Sequence, residues 1–211
     1  ANKHKNKKEA SLVVMMTEQK HISRAQITAL HRELTKWLTS FDYAKKTCAL
    51  SYFTGRRAIE ILHTATFKSV RGEKAIMFAG QAKSKDERPY KIESIIAPAK
   101  AVKTLKELRE LKSFSGCDNE QVQAQSNRPL AEAMYKLFNK IGWNEKMKGI
   151  NRGNYNGERK TEIVPDVHFH DLRKLYIATL LGGKSDRLRV QKLLGHDNLD
   201  TGKHYENWQI V

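Results

Sequence analysis

The sequence predicts an α+β domain, mostly helical, with one small antiparallel sheet. Apolar residues recur at helical spacing over several long windows, and three short β-like runs cluster between turn signals in the first half of the chain. At 211 residues the chain is long enough for one domain with a real core and too short for two full-sized domains. Residues 1–22 are expected to be a basic arm or linker, and residues 23–211 the folded domain.

The elements follow in order. From Ser23 to Leu38 the residues Ile27, Leu30, Leu34 and Leu38 share one helical face, and Ser23 with Gln26 forms a capping-box pattern just before them. Tyr43 to Phe53 and Arg57 to Leu62 are predicted helical, separated by Thr54 and Gly55, which places the arginines at a helix start. Thr66 to Val70 and Ala75 to Phe78 are read as strands flanking Arg71-Gly72-Glu73, and Tyr90 to Ile96 as a third strand. Helices resume at Ala101 to Leu111 and at Pro129 to Ile141, the latter with Asn127 as cap and Pro129 in its first turn. Between Trp143 and Pro165, Asn, Gly and Lys dominate without periodicity, so a long loop is expected. Helices over His170 to Leu181, stopped by Gly182-Gly183, and Asp186 to Leu194, stopped by Gly195, precede a short one around Thr201 to Trp208.

Charge narrows the function. Lys and Arg number 39 against 23 Asp and Glu, a net +16 that favours a polyanionic partner, nucleic acid first. No apolar run approaches the ~18 residues of a membrane span, and no long basic amphipathic helix is present, so no membrane partner is expected. The basic opening ANKHKNKK is followed by an apolar run, Leu12 to Met16, that is too short for a signal peptide. Cys48 and Cys117 are too few for a disulfide framework or a four-cysteine zinc site, and are expected as buried or half-buried thiols in a reducing cytosol.

Breaking and rejoining a DNA phosphodiester without a metal needs a nucleophile, cations for the non-bridging oxygens and an acid for the leaving oxygen. The chain offers Thr54-Gly55-Arg56-Arg57-Ala58-Ile59-Glu60, then His170-Asp171-Leu172-Arg173, then Leu193-Leu194-Gly195-His196, then Tyr205 nine residues later. Over about residues 25 to 211 this order resembles the catalytic domain of the tyrosine recombinases. The resemblance implies that Arg57 and Arg173 hold the scissile phosphate, bidentately and always charged. It implies further that His196 adds a donor, that His170 orients or exchanges a proton with the tyrosine, and that Tyr205 forms a 3′-phosphotyrosine. In Gln81-Ala82-Lys83-Ser84-Lys85-Asp86 it places the acid for the 5′ oxygen at Lys83, with Lys85 as the alternative; either residue also fits an ordinary solvated turn. Glu60 is expected to brace an arginine. No cofactor and no metal are expected.

Three further segments, Lys174-Leu175-Tyr176-Ile177, Phe78-Ala79-Gly80-Gln81-Ala82-Lys83 and Tyr205-Glu206-Asn207-Trp208-Gln209-Ile210, are similar to protelomerases, the telomere resolvases that turn a replicated junction into two covalently closed hairpin ends. That resemblance implies double-stranded DNA with an inverted repeat or specific site, held by a homodimer or tetramer. It also implies a cytoplasmic protein, bacterial, phage or plasmid-encoded, on the nucleoid when bound. Candidate phosphate contacts are Arg56, Lys85, Lys146, Lys148, Arg152, Arg159 and Lys160, which would position a duplex without reading it. Two other functions stay open: an integrase exchanging strands between two duplexes, and a non-catalytic basic DNA-binding protein.

Overall fold

The computed structural model describes residues 19–82, 88–153, 159–182, 186–195 and 208–211, with Arg152, Gly153, Arg159 and Arg187 described by their backbone alone. Helix α1 (Arg24–Trp37) starts where the capping box predicts: the Gln26 N–H donates to Ser23 Oγ at 3.1 Å, and the Ser23 N–H donates to Gln26 Oε1 at 3.0 Å. Leu30, Leu34 and Leu38 of the predicted face are buried.

Helix α2 (Tyr43–Thr54) is capped by Asp42, which accepts from the N–H groups of Ala44 and Lys45. Almost its whole circumference is buried, from Ala44 through Thr54, so it has no solvated stripe and can sit only at the centre of the domain. Around it pack α1, α3 (Pro98–Leu111), α4 (Asn119–Lys140) and α5 (Phe169–Leu181). After Gly55 the chain re-enters a helix whose last turn, Glu60–Thr64, is π-helical, closed by the Ala65 N–H donating to the Glu60 carbonyl at 2.7 Å.

The predicted sheet is present as β2 (Thr66–Ser69), β3 (Ala75–Ala79) and β4 (Tyr90–Glu93), antiparallel in that order. Phe67 pairs with Phe78 and Phe78 with Tyr90, and the buried Phe67, Ile76, Phe78 and Ile92 turn the sheet toward the helices.

Three expectations are corrected. The helix predicted from Pro129 begins at Asn119, where Asp118 and Gln121 form a second capping box, and runs through the proline. An internal proline costs about 3 kcal/mol, but buried Val122, Ser126, Leu130, Ala133 and Leu137 keep one continuous face across it, and that packing outweighs the penalty. The stretch expected as a loop is a hairpin, β5 (Met147–Gly153) and β6 (Arg159–Pro165), with Met147 opposite Pro165 and Arg152 opposite Lys160. Much of the ribbon is exposed, so little alternation of apolar and polar residues marks it.

The third correction concerns the chain end. Residues 201–207 of the predicted final helix lie outside the described residues, while Trp208–Ile210 forms strand β7, parallel to β1 (Lys20–Ile22). Residues assigned to the arm thus join the folded body, and Ile22 is 1 % exposed. The remaining helix, α6 (Arg187–Leu194), ends at Gly195 as predicted. Cys48 is buried and Cys117 half-buried, both free. No described helix is long and apolar enough to cross a membrane.

Candidate active site

The site is built outward from Gly55. Its left-handed backbone, φ 67°, ends α2 and turns its carbonyl toward α5, where it accepts from Arg173 Nη1 at 2.7 Å. A Cβ at this position would stand 2.4 Å from the Tyr176 ring. Gly55→Ala is therefore expected to destabilise the protein by about 2 kcal/mol or more, a fall in melting temperature of at least about 4 °C for a domain of this size, measurable by calorimetry. An unchanged melting temperature would refute the close packing of Tyr176 on this turn.

Arg56 and Arg57 part company here. Arg56, a candidate phosphate contact by sequence, is fully buried: Nη2 donates to the Leu193 carbonyl at 2.6 Å, Nε to the Thr54 carbonyl, Nη1 to the Tyr90 hydroxyl, and its guanidinium lies 4.7 Å from the Phe78 ring centre. That corrects the expectation, since each of its three guanidinium nitrogens donates inside the protein, joining the sheet to the end of α6. Arg57 stays accessible, with an 18 % exposed side chain, and donates from Nη1 to Glu60 Oε1 at 2.8 Å.

Glu60 is the brace the sequence predicts, and it serves two arginines. Its Oε2 accepts from the Arg57 backbone N–H at 2.9 Å and lies 3.8 Å from Arg173 Nη1. Burial alone would raise the Glu60 carboxyl, but Arg56, Arg173 and Arg57 outweigh it and hold it below the ordinary carboxylate value, so it is ionised. Arg173 is 1 % exposed and also donates from Nη2 to the Leu194 carbonyl at 3.3 Å. Both guanidinium groups are thus fixed before any phosphate arrives.

Arg57, Arg173 and His170 line one cavity of about 310 Å³, together with the buried Arg56, with Gln123, Ser126 and Asn127 from α4, and with Phe169 from α5. The surrounding protein desolvates the His170 imidazole, and Arg173 and Lys174 repel its proton, so its pKa is pushed down to about 3. The ring nevertheless keeps an open edge to solvent, and in the free protein it is neutral at physiological pH. The α4 residues were missed by the sequence reading because it began that helix at Pro129; the Asp118 and Gln121 capping pair was the signal that could have found them.

Lys83, Lys85, His196 and Tyr205 lie outside the described residues, but the residues just before Lys83 and His196 are described and bonded. The Ala82 N–H donates to Glu60 Oε1 at 3.4 Å, and Gln81 Nε2 donates to the Gly195 carbonyl at 2.8 Å. The sheet edge before Lys83 and the turn before His196 are therefore tied to each other and to the arginine brace. Gly195, φ 62°, could not carry a side chain here, since its Cβ would meet the Tyr90 ring at 2.4 Å.

The remaining basic candidates sit on the hairpin. Lys160 is exposed and Lys146 half-buried. Lys148 already pairs with Asp166 Oδ1 at 2.8 Å and lies 5.8 Å from the Tyr135 ring centre. Arg152 and Arg159 have backbones in the ladder and side chains outside the described set.

Against known proteins, the family model for the telomere resolvase ResT/TelK catalytic domain matches residues 21–208. The chain belongs to this family. Over 79 residues it is also 32% identical to the tyrosine recombinase XerC of Lactobacillus leichmannii, which is 37% of this chain and 26% of that protein. Among solved structures, the telomere-resolvase fold recurs in protelomerase TelA covalently complexed with substrate DNA, at TM-score 0.78 and 20% identity over 99% of this chain and 66% of the other. It recurs in protelomerase TelK complexed with substrate DNA, at TM-score 0.70 and 20% identity over 100% of this chain and 41% of the other. The chain thus spans just under two thirds of the TelA chain and about a quarter of the XerC relative.

Proposed function

We infer that this domain cleaves and rejoins DNA through a covalent 3′-phosphotyrosine and that the product is a pair of closed hairpin ends. The observation that carries the reading is the Arg57–Glu60–Arg173 brace opening with His170 onto one cavity, within a chain of the telomere resolvase family. Two guanidinium groups lining one cavity would supply charged donors to the non-bridging oxygens, the service a metal ion gives in other phosphoryl transfers, so the reaction proposed is metal-independent. Neutral His170 accepts or orients the tyrosine proton, and an incoming phosphate raises its basicity by offsetting Arg57 and Arg173.

Tyr205 is assigned as nucleophile, His196 as a third phosphate donor, and Lys83, or Lys85 in its place, as the acid for the 5′ oxygen. Support comes from their neighbours: Ala82 bonds to the brace, Gly195 to Gln81, and Trp208 is anchored against α5. The partner is double-stranded DNA with two-fold symmetry, bound by two protomers, each forming one phosphotyrosine. Each freed 5′ oxygen then attacks the phosphotyrosine of the opposite strand on its own side. One phosphodiester replaces another, so the step is nearly isoenergetic and the fate of the ends is set by how the protein holds and bends them.

The experiment is to incubate the full-length protein with a duplex carrying its inverted-repeat site, with and without chelator, and to resolve products on a denaturing gel. Single strands about twice the arm length that snap back after heating are expected in both lanes. Recombinant duplexes or four-way junctions without hairpins would replace this reading with strand exchange, and binding without any covalent adduct would leave a DNA-binding protein. Loss of product in chelator would overturn metal independence.

A further inference from the structure

The helix that carries His170 and Arg173 also holds a buried charge for which the chemistry above has no use. Asp171 is 3 % exposed. Its carboxylate accepts from the Trp208 indole N–H at 3.2 Å, from Lys20 Nζ at 3.3 Å and from the His168 N–H at 2.9 Å, with Lys174 Nζ at 3.5 Å. Two of these partners come from opposite ends of the described chain. Lys20 and Trp208 are register partners in the β1–β7 pair, and the Lys20 ammonium lies 5.7 Å from the Trp208 ring centre. Trp208 is wedged against Trp143 at 5.5 Å and Phe138 at 6.0 Å between ring centres. The backbone closes the arrangement: the Val211 N–H donates to the Ile22 carbonyl and the Arg24 N–H to the Val211 carbonyl, both at 3.0 Å.

A buried charge network of this kind is no more stabilising than apolar packing of the same volume, so its use lies in fixing position. What it fixes is the strand that begins three residues after Tyr205. Three residues reach at most about 11 Å, so the place of Trp208 bounds the place of Tyr205. Asp171, meanwhile, neighbours His170 and lies two residues before Arg173. One carboxylate therefore bonds to the strand that follows the nucleophile while standing on the helix that presents the phosphate-binding groups.

We propose that Asp171, Trp208 and Lys20 form a latch that ties the strand following Tyr205 to the helix carrying His170 and Arg173 and so limits where Tyr205 can act. This rests on Tyr205 being the nucleophile. The three are positioning residues: none lines the cavity, and they act through the segment they hold.

The test separates nucleophile placement from the integrity of the phosphate-binding groups. Trp208→Phe keeps an aromatic ring against Trp143 and Phe138 and removes the indole N–H donor together with part of the ring; Asp171→Asn keeps the packing and an acceptor and removes the charge. In the full-length protein, single-turnover adduct formation on saturating DNA should fall on the order of ten- to a hundredfold in Trp208→Phe, with DNA affinity unchanged. In a Tyr205→Gly background, hydrogen peroxide serves as a diffusible nucleophile whose oxygen attacks the same phosphorus and displaces the 5′ oxygen. That cleavage should be the same with Trp208 or Phe at the latch. Unchanged adduct formation would overturn the proposal, and so would an equal loss of peroxide cleavage, which would mean that the latch only props α5. Should Trp208→Phe lower the melting temperature enough to unfold the chain, Asp171→Asn carries the same comparison. Adduct formation by Tyr205→Phe would refute the nucleophile assignment itself and is read separately.

Discussion

Tyr205→Phe is expected to abolish the covalent protein–DNA adduct while leaving DNA affinity unchanged. The substitution removes one oxygen, the atom proposed to attack phosphorus, and a phenyl ring has no nucleophile to replace it. On the proposed reading affinity rests elsewhere, on a net charge of +16 whose contacts would release counterions from the duplex, so a single hydroxyl would contribute little beside it. The structure also disposes of the nearest alternative. Tyr176 follows Arg173 on the same helix, but it is fully buried, packs on Gly55, and donates its hydroxyl to the Glu93 carbonyl at 2.7 Å, and burial pushes its phenol well above the ordinary value. The Tyr90 hydroxyl is engaged with Arg56 and the Leu194 carbonyl. The measurement is a denaturing gel of end-labelled DNA beside a binding isotherm. A retained adduct would reject Tyr205, and a collapse in affinity would show that the hydroxyl does more than chemistry.

What the sequence revealed and what it concealed divide along physical lines. Helix α1 and the sheet were legible because one face of each is buried and the other wet, which writes a period into the residues: Leu30 and Leu34 in the helix, Phe67 and Ile76 in the strands. The Glu60 brace was legible because an acid three residues after an arginine on a helix faces it. The β5–β6 hairpin was not, since an exposed ribbon leaves little trace in hydrophobicity. Nor was the true start of α4, where Pro129 looked like a beginning and tertiary packing carried the helix straight through it. Arg56 and Arg57 show the limit most sharply: adjacent, identical in type and lining the same cavity, one is fully buried with its nitrogens bonded inside the protein and the other partly exposed, a difference set by the fold around the turn at Gly55.

The same difference in burial sets the expected outcome for the two cavity arginines. Arg57→Ala and Arg173→Ala should each slow cleavage by about 3 kcal/mol or more, roughly a hundredfold to a thousandfold, as the loss of one preorganised donor set at a transition state does. They should differ in stability. Arg57 is partly solvated, and removing it leaves Glu60 still paired with Arg173. Arg173→Ala leaves the buried Gly55 carbonyl without its side-chain donor, at a cost of about 1–3 kcal/mol, takes one of two donors from the Leu194 carbonyl, and leaves the fully buried Glu60 carboxylate with one less counter-charge. Its melting temperature should therefore fall well below that of Arg57→Ala. Adding Glu60→Gln to Arg173→Ala neutralises the stranded carboxylate, so it should restore part of the stability and none of the rate, because the phosphate still lacks its guanidinium. Calorimetry and single-turnover cleavage on the three variants beside the parent protein check this together. Recovery of the rate with the stability would mean that Arg173 serves the fold alone and that the phosphate is held by other groups.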